Sequence, residues 1–139
     1  MISYNAENIK IPLIPRRKIS AWIKTVAAQN EKKVGEIAYI FCSDERMLVI
    51  NRQYLNHDYY TDIITFDYSE QKTISGDIFI SLDTVRSNAE KFNVTFENEL
   101  FRVIIHGILH LCGYKDKTST DAKEMRRRED AALKELIGL

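Results

Sequence analysis

Two of the three histidines of this 139-residue chain, His106 and His110, lie four residues apart in the stretch HGILHLCGYKD. At about 100° per residue, an α-helix would place both imidazoles on one face, where they can reach a single ion. Gly113 is a plausible left-handed helix stop, after which the chain can turn back and bring the Asp116 carboxylate to that ion. Cys112 projects from the other side of the helix by the same count, so we do not expect it to be a ligand.

Two nitrogens and one oxygen are the ligand set of a catalytic metal site rather than a structural one. A structural zinc site is closed by four protein ligands, usually including cysteine, whereas a catalytic site keeps one position open. Water in an open position has its pKa lowered to about 7, which supplies a hydroxide for hydrolysis. The pattern therefore predicts a metal centre that activates water.

Histidines at this spacing can also be core residues without a metal. Gly107 lies between them, and glycine in a helix costs about 1 kcal/mol relative to alanine. It therefore indicates the close approach of backbone, substrate or another element, which adds weight to the metal interpretation. Gly107 also occupies the position of the catalytic glutamate in an H-E-x-x-H peptidase, so peptide hydrolysis by that mechanism is disfavoured.

The element that must hold the two histidines is predicted to be a central, buried helix, because residues 96–112 are apolar on nearly every side. Residues 19–30 form an amphipathic first helix, and EIAYIFCS is typical of a strand. Ser43 is suited to cap a helix over 44–55, with Met47, Leu48, Ile50 and Tyr54 facing inward. TDIITFDY and SGDIFIS predict a hairpin-like pair of strands, and helical patterns follow at 82–92 and 120–137.

Strands and helices without strict alternation indicate an α+β fold, in which helices pack on a small mixed sheet. With 139 residues, 45% of them hydrophobic, we expect one domain spanning residues 1–139. Twenty basic and twenty acidic residues balance, so composition alone predicts no polyanion or membrane partner. Two distant cysteines predict no disulfide partner, and apolar runs far shorter than the roughly 20 residues of a membrane span favour a soluble, cytoplasmic protein.

Three stretches resemble one known family, the YbeY family of metal-dependent single-strand endoribonucleases. HGILHLCGYKD resembles its H-G-x-L-H-L-x-G-Y-D-H signature, NRQYLNHDYYTDIITF its N-x-x-Y-R-x-x-D-x-P-T-D-V-L-S-F stretch, and SGDIFIS its L-G-D-I-x-I-S strand. The resemblance implies an endoribonuclease that acts in maturation of ribosomal RNA, at the 3′ end of the small-subunit RNA, and in ribosome quality control. It also implies single-stranded ribosomal RNA and the small ribosomal subunit as partners.

By this resemblance His106 and His110 are metal ligands, and Asp116 stands where the family usually has its third histidine. Aspartate is a competent zinc ligand, so we expect one divalent metal, zinc, with manganese or nickel as alternatives for a harder ligand set. His57 is a less favoured third ligand. Leu55 replaces a family arginine thought to aid RNA cleavage, which predicts weaker activity or greater dependence on the metal and other cations.

Two carboxylates in the matching stretches, Asp62 and Asp77, are candidates for shaping the site, although both can equally be cap or turn residues. Cations and an aromatic ring near the ligand loop are candidates for binding RNA, unless they only form a solvated helix face. These candidates are Lys115, Lys117, Arg126, Arg127 and Tyr114. Tyr59 and Tyr60 could also stack on unpaired bases.

Two other functions remain open from the sequence. Leu55 and Asp116 are consistent with a ribosome-associated factor in rRNA processing whose metal is structural or vestigial. Zero net charge is consistent with a metallohydrolase of another substrate, such as a small phosphoester or a peptide.

Overall fold

A four-stranded mixed sheet forms the middle of the protein, and helices pack on both of its faces. The computed structural model describes residues 1–57 and 60–138. Its elements follow in chain order: β1 (Ile2–Glu7), α1 (Arg16–Gln29), β2 (Lys33–Cys42), α2 (Asp44–Leu55), β3 (Ile63–Asp67), β4 (Thr73–Ser81), α3 (Leu82–Lys91), α4 (Phe96–Leu111) and α5 (Ser119–Gly138).

The strands lie in the order β1-β2-β4-β3, with β1, β2 and β4 parallel. β3 pairs antiparallel with β4 at one edge, with Ile63 opposite Ile80 and Thr65 opposite Ile78. This pairing confirms the hairpin-like pair predicted from TDIITFDY and SGDIFIS. The predicted α+β fold with a small mixed sheet is likewise confirmed, as one small domain.

Alternate residues of β4 serve the two faces of the sheet, as the period of a strand requires. Ile78 and Ile80 are buried in the main core with α1, α4 and α5. Phe79, between them, packs against a smaller cluster on the opposite face, around Met47 and Ile50 of α2. α2 therefore covers one face of the sheet, and the main core lies on the other.

The sequence signals for α2 are confirmed at both ends. The Ser43 side chain accepts a hydrogen bond from the Arg46 backbone N–H at 3.2 Å, which caps the helix at its start. The helix ends at Leu55, and Asn56 follows in the left-handed region with φ of 56°. Leu55 is therefore the last residue of α2, and its side chain lines the cavity described below.

Tyr54 was predicted to face inward, and this prediction was wrong. Its side chain is 61% exposed, and its ring makes an edge-to-face contact with the Phe66 ring, with centroids 5.7 Å apart. Met47, Ile50 and Asn51 are the buried residues of α2, and Leu48 is only half-buried. Tyr54 lies on the same face by helix period, but in the last turn of α2, where its ring contacts Phe66 of the edge strand β3.

α4 is the central helix, as predicted. It contacts strands β3 and β4 of the sheet, and it also contacts the helices α1, α3 and α5. Thr95 caps its start by accepting a hydrogen bond from the Asn98 backbone N–H at 3.0 Å. A Cβ added at Gly107 would lie 3.1 Å from Ile78 and 3.2 Å from Ile63. The glycine between the two histidines therefore lets α4 approach the sheet closely. Of the neighbours that the sequence left open for Gly107, the structure shows another element, the sheet, and not a substrate.

Within residues 1–57 and 60–138, no helix combines the length and apolar character that crossing a bilayer requires.

Candidate metal centre

His106 and His110 lie one turn apart near the end of α4, with their rings edge to face and their centroids 4.5 Å apart. Both side chains are partly exposed, at 18% and 28%, although the helix that carries them is buried. This face of α4 opens into a cavity rather than onto the sheet. The sequence expectation that the two imidazoles share one accessible face holds in the structure.

Asp116 completes the group because the chain reverses after α4. Gly113 has φ of +109°, a conformation that glycine adopts without a steric penalty. Its N–H donates to the His110 carbonyl at 2.9 Å, and the Tyr114 N–H donates to the Leu109 carbonyl at 3.0 Å. The reversal places the Asp116 carboxylate beside the Nε2 atoms of both histidines.

The three candidate ligand atoms lie close enough together to share one ion. Asp116 Oδ2 lies 3.3 Å from His106 Nε2 and 3.4 Å from His110 Nε2, and all three atoms lie within 4.8 Å of one another. With bonds of about 2.0–2.1 Å, tetrahedral ligands stand about 3.3–3.4 Å apart, whereas adjacent octahedral ligands stand about 3.0 Å apart. These residues can therefore hold a metal ion, and the two distances from Asp116 Oδ2 are compatible with tetrahedral ligation.

Each imidazole is held by a hydrogen bond at its other nitrogen. His106 Nδ1 lies 2.6 Å from Glu129 Oε2, and His110 Nδ1 lies 2.9 Å from the Tyr114 carbonyl oxygen. When both Nδ1 atoms donate, both Nε2 atoms present a lone pair toward Asp116. Such second contacts orient metal-binding histidines and raise their basicity.

Glu129 is the functional residue that the sequence analysis missed. It is only 4% exposed, and its other oxygen accepts from Arg102 Nη1 at 3.0 Å, while Arg102 Nη2 reaches Asp130 at 2.7 Å. A signal was present, because Glu129 falls on the buried face of α5, four residues after Met125 and three before Ala132. A carboxylate at a core position of an amphipathic helix requires a buried partner.

The same carboxylate changes the protonation of His106. Burial alone would lower the pKa of His106, but the hydrogen bond and the charge of Glu129 outweigh it, and Asp116 and Asp62 add to the effect. The pKa of His106 is therefore raised from its ordinary value. A proton consequently competes with a metal for this histidine more strongly than it would for an isolated imidazole.

The cavity above the three ligands has a volume of about 890 Å³, enough for a substrate larger than a single phosphate. Its walls combine charged and apolar side chains. The charged residues are Asp62, Asp67, Glu99, Arg102, Asp116, Lys117, Arg126 and Glu129, and the apolar side chains include Leu55, Phe92 and Val103.

Of the two candidate carboxylates, the structure brings only Asp62 to the cavity. Burial raises the pKa of Asp62, with partial compensation from His106. Asp77 lies within β4 rather than in a turn, and it accepts a hydrogen bond from the Tyr68 hydroxyl at 3.4 Å. The Asp77 side chain lies on the same face of the sheet as Phe79, the face that α2 covers, because residues two apart in a strand share a face.

A second buried carboxylate, Glu99, also lines the cavity and was not singled out from the sequence. It is 5% exposed, and within the described part of the chain its side chain makes no hydrogen bond or ion pair. Burial and the nearby charge of Asp62 raise its pKa, against the opposing charges of Arg102 and Arg126.

The candidate RNA-binding residues divide into two groups. Lys117 and Arg126 line the cavity, and neither makes an ion pair within residues 1–57 and 60–138. Lys115 is exposed outside the cavity wall, and Arg127 is paired with Glu124 at 2.6 and 2.9 Å. The cationic wall of the cavity is thus smaller than the basic run in the sequence suggests.

The Tyr114 side chain, a candidate for stacking on RNA, contacts two other residues of the protein. Its hydroxyl donates to Asn30 Oδ1 at 2.7 Å, and the Arg128 guanidinium lies 4.5 Å from the ring centroid. Tyr114 therefore connects the loop that carries Asp116 to the end of α1. Tyr60 is 59% exposed but does not line the cavity, and Tyr59 lies outside the described residues.

Two further positions singled out from the sequence lie on the cavity wall. His57 is exposed there but is not part of the group of three ligands. Leu55, where the resemblance implies an arginine, is 40% exposed and gives this wall an apolar surface.

Comparisons with known proteins agree with the resemblance drawn from the three motifs. The family model described as Endoribonuclease YbeY matches residues 1–137. An Endoribonuclease YbeY of Phocaeicola vulgatus is 62% identical over 133 residues, covering 96% of each chain, and one of Porphyromonas gingivalis W83 is 54% identical, covering 99% of this chain and 93% of the relative. A Thermotoga maritima protein solved in solution aligns with a TM-score of 0.69 at 28% identity, covering 99% of this chain and 90% of its own. This chain therefore belongs to the endoribonuclease YbeY family.

Proposed function

We propose that this protein is a metal-dependent endoribonuclease of the cytoplasm that hydrolyses single-stranded RNA. Its proposed substrate is ribosomal RNA of the small subunit, at the 3′ end, in maturation and ribosome quality control. The observation that carries the proposal is the spacing of Asp116 Oδ2 at 3.3 and 3.4 Å from two histidine nitrogens, in a chain of this family.

His106, His110 and Asp116 would hold the metal, for which we propose zinc. When bound, a divalent cation supplies a Lewis acid that polarises a phosphoryl oxygen and lowers the pKa of water to about 7. The three side chains would supply two nitrogens and one oxygen, the three-ligand set of catalytic zinc sites, which keep one position for water or substrate.

The other residues of the site orient the ligands and attract the substrate. When His106 and His110 are neutral and donate from Nδ1 to Glu129 and to the Tyr114 carbonyl, both Nε2 atoms are available to bind the metal, already oriented by these hydrogen bonds. Lys117 and Arg126 place positive charge on the cavity wall, where a phosphodiester would lie beside the three ligands. The position after His106, which is the catalytic glutamate in an H-E-x-x-H peptidase, is Gly107, and it packs against Ile78. The described residues therefore have no counterpart of that peptidase arrangement.

One observation favours a second candidate, a ribosome-associated factor in rRNA processing that does not cleave RNA. Leu55 provides an apolar surface at the cavity wall where a cation would help to stabilise a phosphorane-like transition state. This candidate predicts co-sedimentation with small-subunit particles by a protein that cuts no RNA.

The test combines metal analysis with cleavage of labelled single-stranded and duplex RNA. We expect His110→Ala and Asp116→Asn to lose bound zinc and at least about 100-fold in cleavage rate. His57→Ala is the matched control for metal content, and Asp77→Asn is the control for loss of a carboxylate. Undiminished cleavage by metal-free His110→Ala would remove the proposal, whereas zinc binding and co-sedimentation without cleavage would establish the second candidate.

A further inference from the structure

One wall of the cavity exposes an aromatic ring that the hydrophobic core does not use. Phe92 follows directly after α3 and is 49% exposed. Leu55, at the end of α2, is 40% exposed on the same cavity. Neither residue belongs to the two hydrophobic clusters of the described chain. Their apolar surfaces are therefore available to something that enters the cavity.

An amide lies beside this ring. Asn88 precedes Phe92 by one helical turn, and its carbonyl oxygen accepts from the Phe92 N–H at 2.9 Å. The Asn88 side chain lines the cavity, is half-buried, and makes no hydrogen bond among the residues that the structure describes. An amide offers both donors and an acceptor. Leu55, Asn88 and Phe92 together are called the Phe92 wall.

Positive charge flanks the Phe92 wall. The ammonium of the exposed Lys91 side chain lies over one face of the Phe92 ring, 5.9 Å from its centroid, so a base would stack on the other face or displace this side chain. Lys117 and Arg126 line the same cavity as the wall and the three metal ligands. A ligand that suits these surfaces carries a flat aromatic group with polar edges, joined to anionic phosphate. That description fits a nucleotide within a chain.

We propose that the Phe92 wall binds one unpaired nucleobase of the RNA, stacked on Phe92 with an edge facing the Asn88 amide. The inference rests on the proposed function and adds a substrate subsite to it. Stacking on an aromatic ring tolerates every base, because each base has a π-face. A base inside a duplex cannot reach the ring, so this subsite would contribute to selection of single strands.

The test measures binding of short fluorescent RNA to the zinc-loaded protein by anisotropy, with RNA integrity verified on a gel. One RNA carries all its bases, and a matched RNA carries abasic riboses. We expect Phe92→Ala to weaken binding of the first RNA about tenfold and to leave the abasic RNA unaffected. Phe92→Tyr should bind normally, and Phe92→Leu, which keeps apolar bulk, should lose most of the affinity.

The matched control is Tyr68→Ala, which removes a 59% exposed ring outside the cavity and should change neither affinity. For cleavage, Phe92→Ala should raise KM about tenfold and leave kcat within about twofold. Normal binding by Phe92→Ala, or equal losses on both RNAs, would overturn the inference.

The outcomes separate this inference from the proposed function. Base-dependent binding through Phe92 by a protein that never cuts RNA would support the subsite and refute the nuclease. Zinc-dependent cleavage that is indifferent to Phe92→Ala would support the nuclease and refute the subsite. Thermal unfolding of Phe92→Leu and Phe92→Ala verifies that each variant is folded before binding is compared.

Discussion

Glu129 Oε2 lies 2.6 Å from Nδ1 of His106, although 23 residues separate them in the sequence. The contact joins α5 to α4 directly behind the ligand face of His106. Because Glu129 also pairs with Arg102 at 3.0 Å, its carboxylate is fixed from two sides. The orientation of one predicted ligand therefore depends on a helix that follows the metal-binding motif.

We predict that Glu129→Gln weakens zinc binding by about 10–100-fold, because His106 loses the anion that orients it and raises its basicity. Competition with a chromophoric chelator measures the affinity. Glu124→Gln is the matched control, since Glu124 lies on the same helix but pairs with Arg127 and Arg128 outside the site. Equal zinc affinities for the two variants would contradict the prediction.

Cobalt should report the geometry of the three ligands. Their spacing of 3.3 and 3.4 Å fits a tetrahedral ion, so we predict that Co²⁺ bound to this protein absorbs visible light with the high intensity of four-coordinate cobalt. Asp116→Ala should weaken Co²⁺ binding and lower that absorption. The weak bands of six-coordinate cobalt in the unaltered protein would show that the ligand spacing changes when a metal binds.

Gly107→Ala should destabilise the protein although alanine is the better helix former. The added Cβ would lie 3.1 Å from Ile78, which is fully buried, and 3.2 Å from Ile63. Overpacking costs about 1–3 kcal/mol, and the gain in helix propensity returns about 1 kcal/mol, so we expect a net loss of about 1 kcal/mol or more in the free energy of unfolding. Urea denaturation measures it.

Gly138→Ala is the matched control for that substitution, because a Cβ at Gly138 would meet no atom of the described residues within 4 Å. It should leave the free energy of unfolding nearly unchanged. A Gly107→Ala variant as stable as the Gly138→Ala variant would mean that α4 can move away from the sheet at little cost.

Glu99→Gln should stabilise the protein at neutral pH. The pKa of Glu99 is raised above its ordinary 4.5, first by burial and then by Asp62, so folding at neutral pH is opposed by the cost of burying its charge. That cost is fully present above the folded pKa and disappears below about 4.5, where both folded and unfolded chains are protonated. We expect a Tm higher by a few degrees at neutral pH and a smaller difference as pH falls.

Calorimetry of the metal-free protein across this pH range tests the Glu99 prediction. Glu97→Gln is the control, since Glu97 is exposed in the same first turn of α4 and loses the same favourable contact with the helix dipole. A Tm difference between Glu99→Gln and the unaltered protein that does not change with pH would exclude burial of charge as its cause.

Local signals account for the parts of the structure that the sequence predicted well. Ser43 and the acidic residues after it specify the start of α2, because capping involves groups within three residues of one another. The period of 3.6 places His106 and His110 on one face of α4. Gly113 permits the reversal that brings Asp116 to them.

Features that depend on distant residues could not be predicted in the same way. Tyr54 continues the apolar pattern of α2, yet the extent of the sheet beneath the helix leaves it exposed. Gly107 suggested several possible neighbours, and only the packing of α4 on Ile78 identifies which one is present. Tyr114 and Arg127 are candidate RNA-binding residues from the sequence, and only the structure shows that Tyr114 contacts Asn30 and Arg128 and that Arg127 pairs with Glu124.

The sequence by itself indicated the fold class and the three candidate ligands, because helix period, capping and chain reversal act over a few neighbouring residues, and the resemblance of three motifs indicated the family. Only the tertiary structure decided that Glu129 supports His106, that Glu99 is buried without a partner in the described chain, and that Phe92 faces the cavity. These relationships arise where α3, α4 and α5 meet. The packing of separate elements sets such distances, and no local periodicity encodes them.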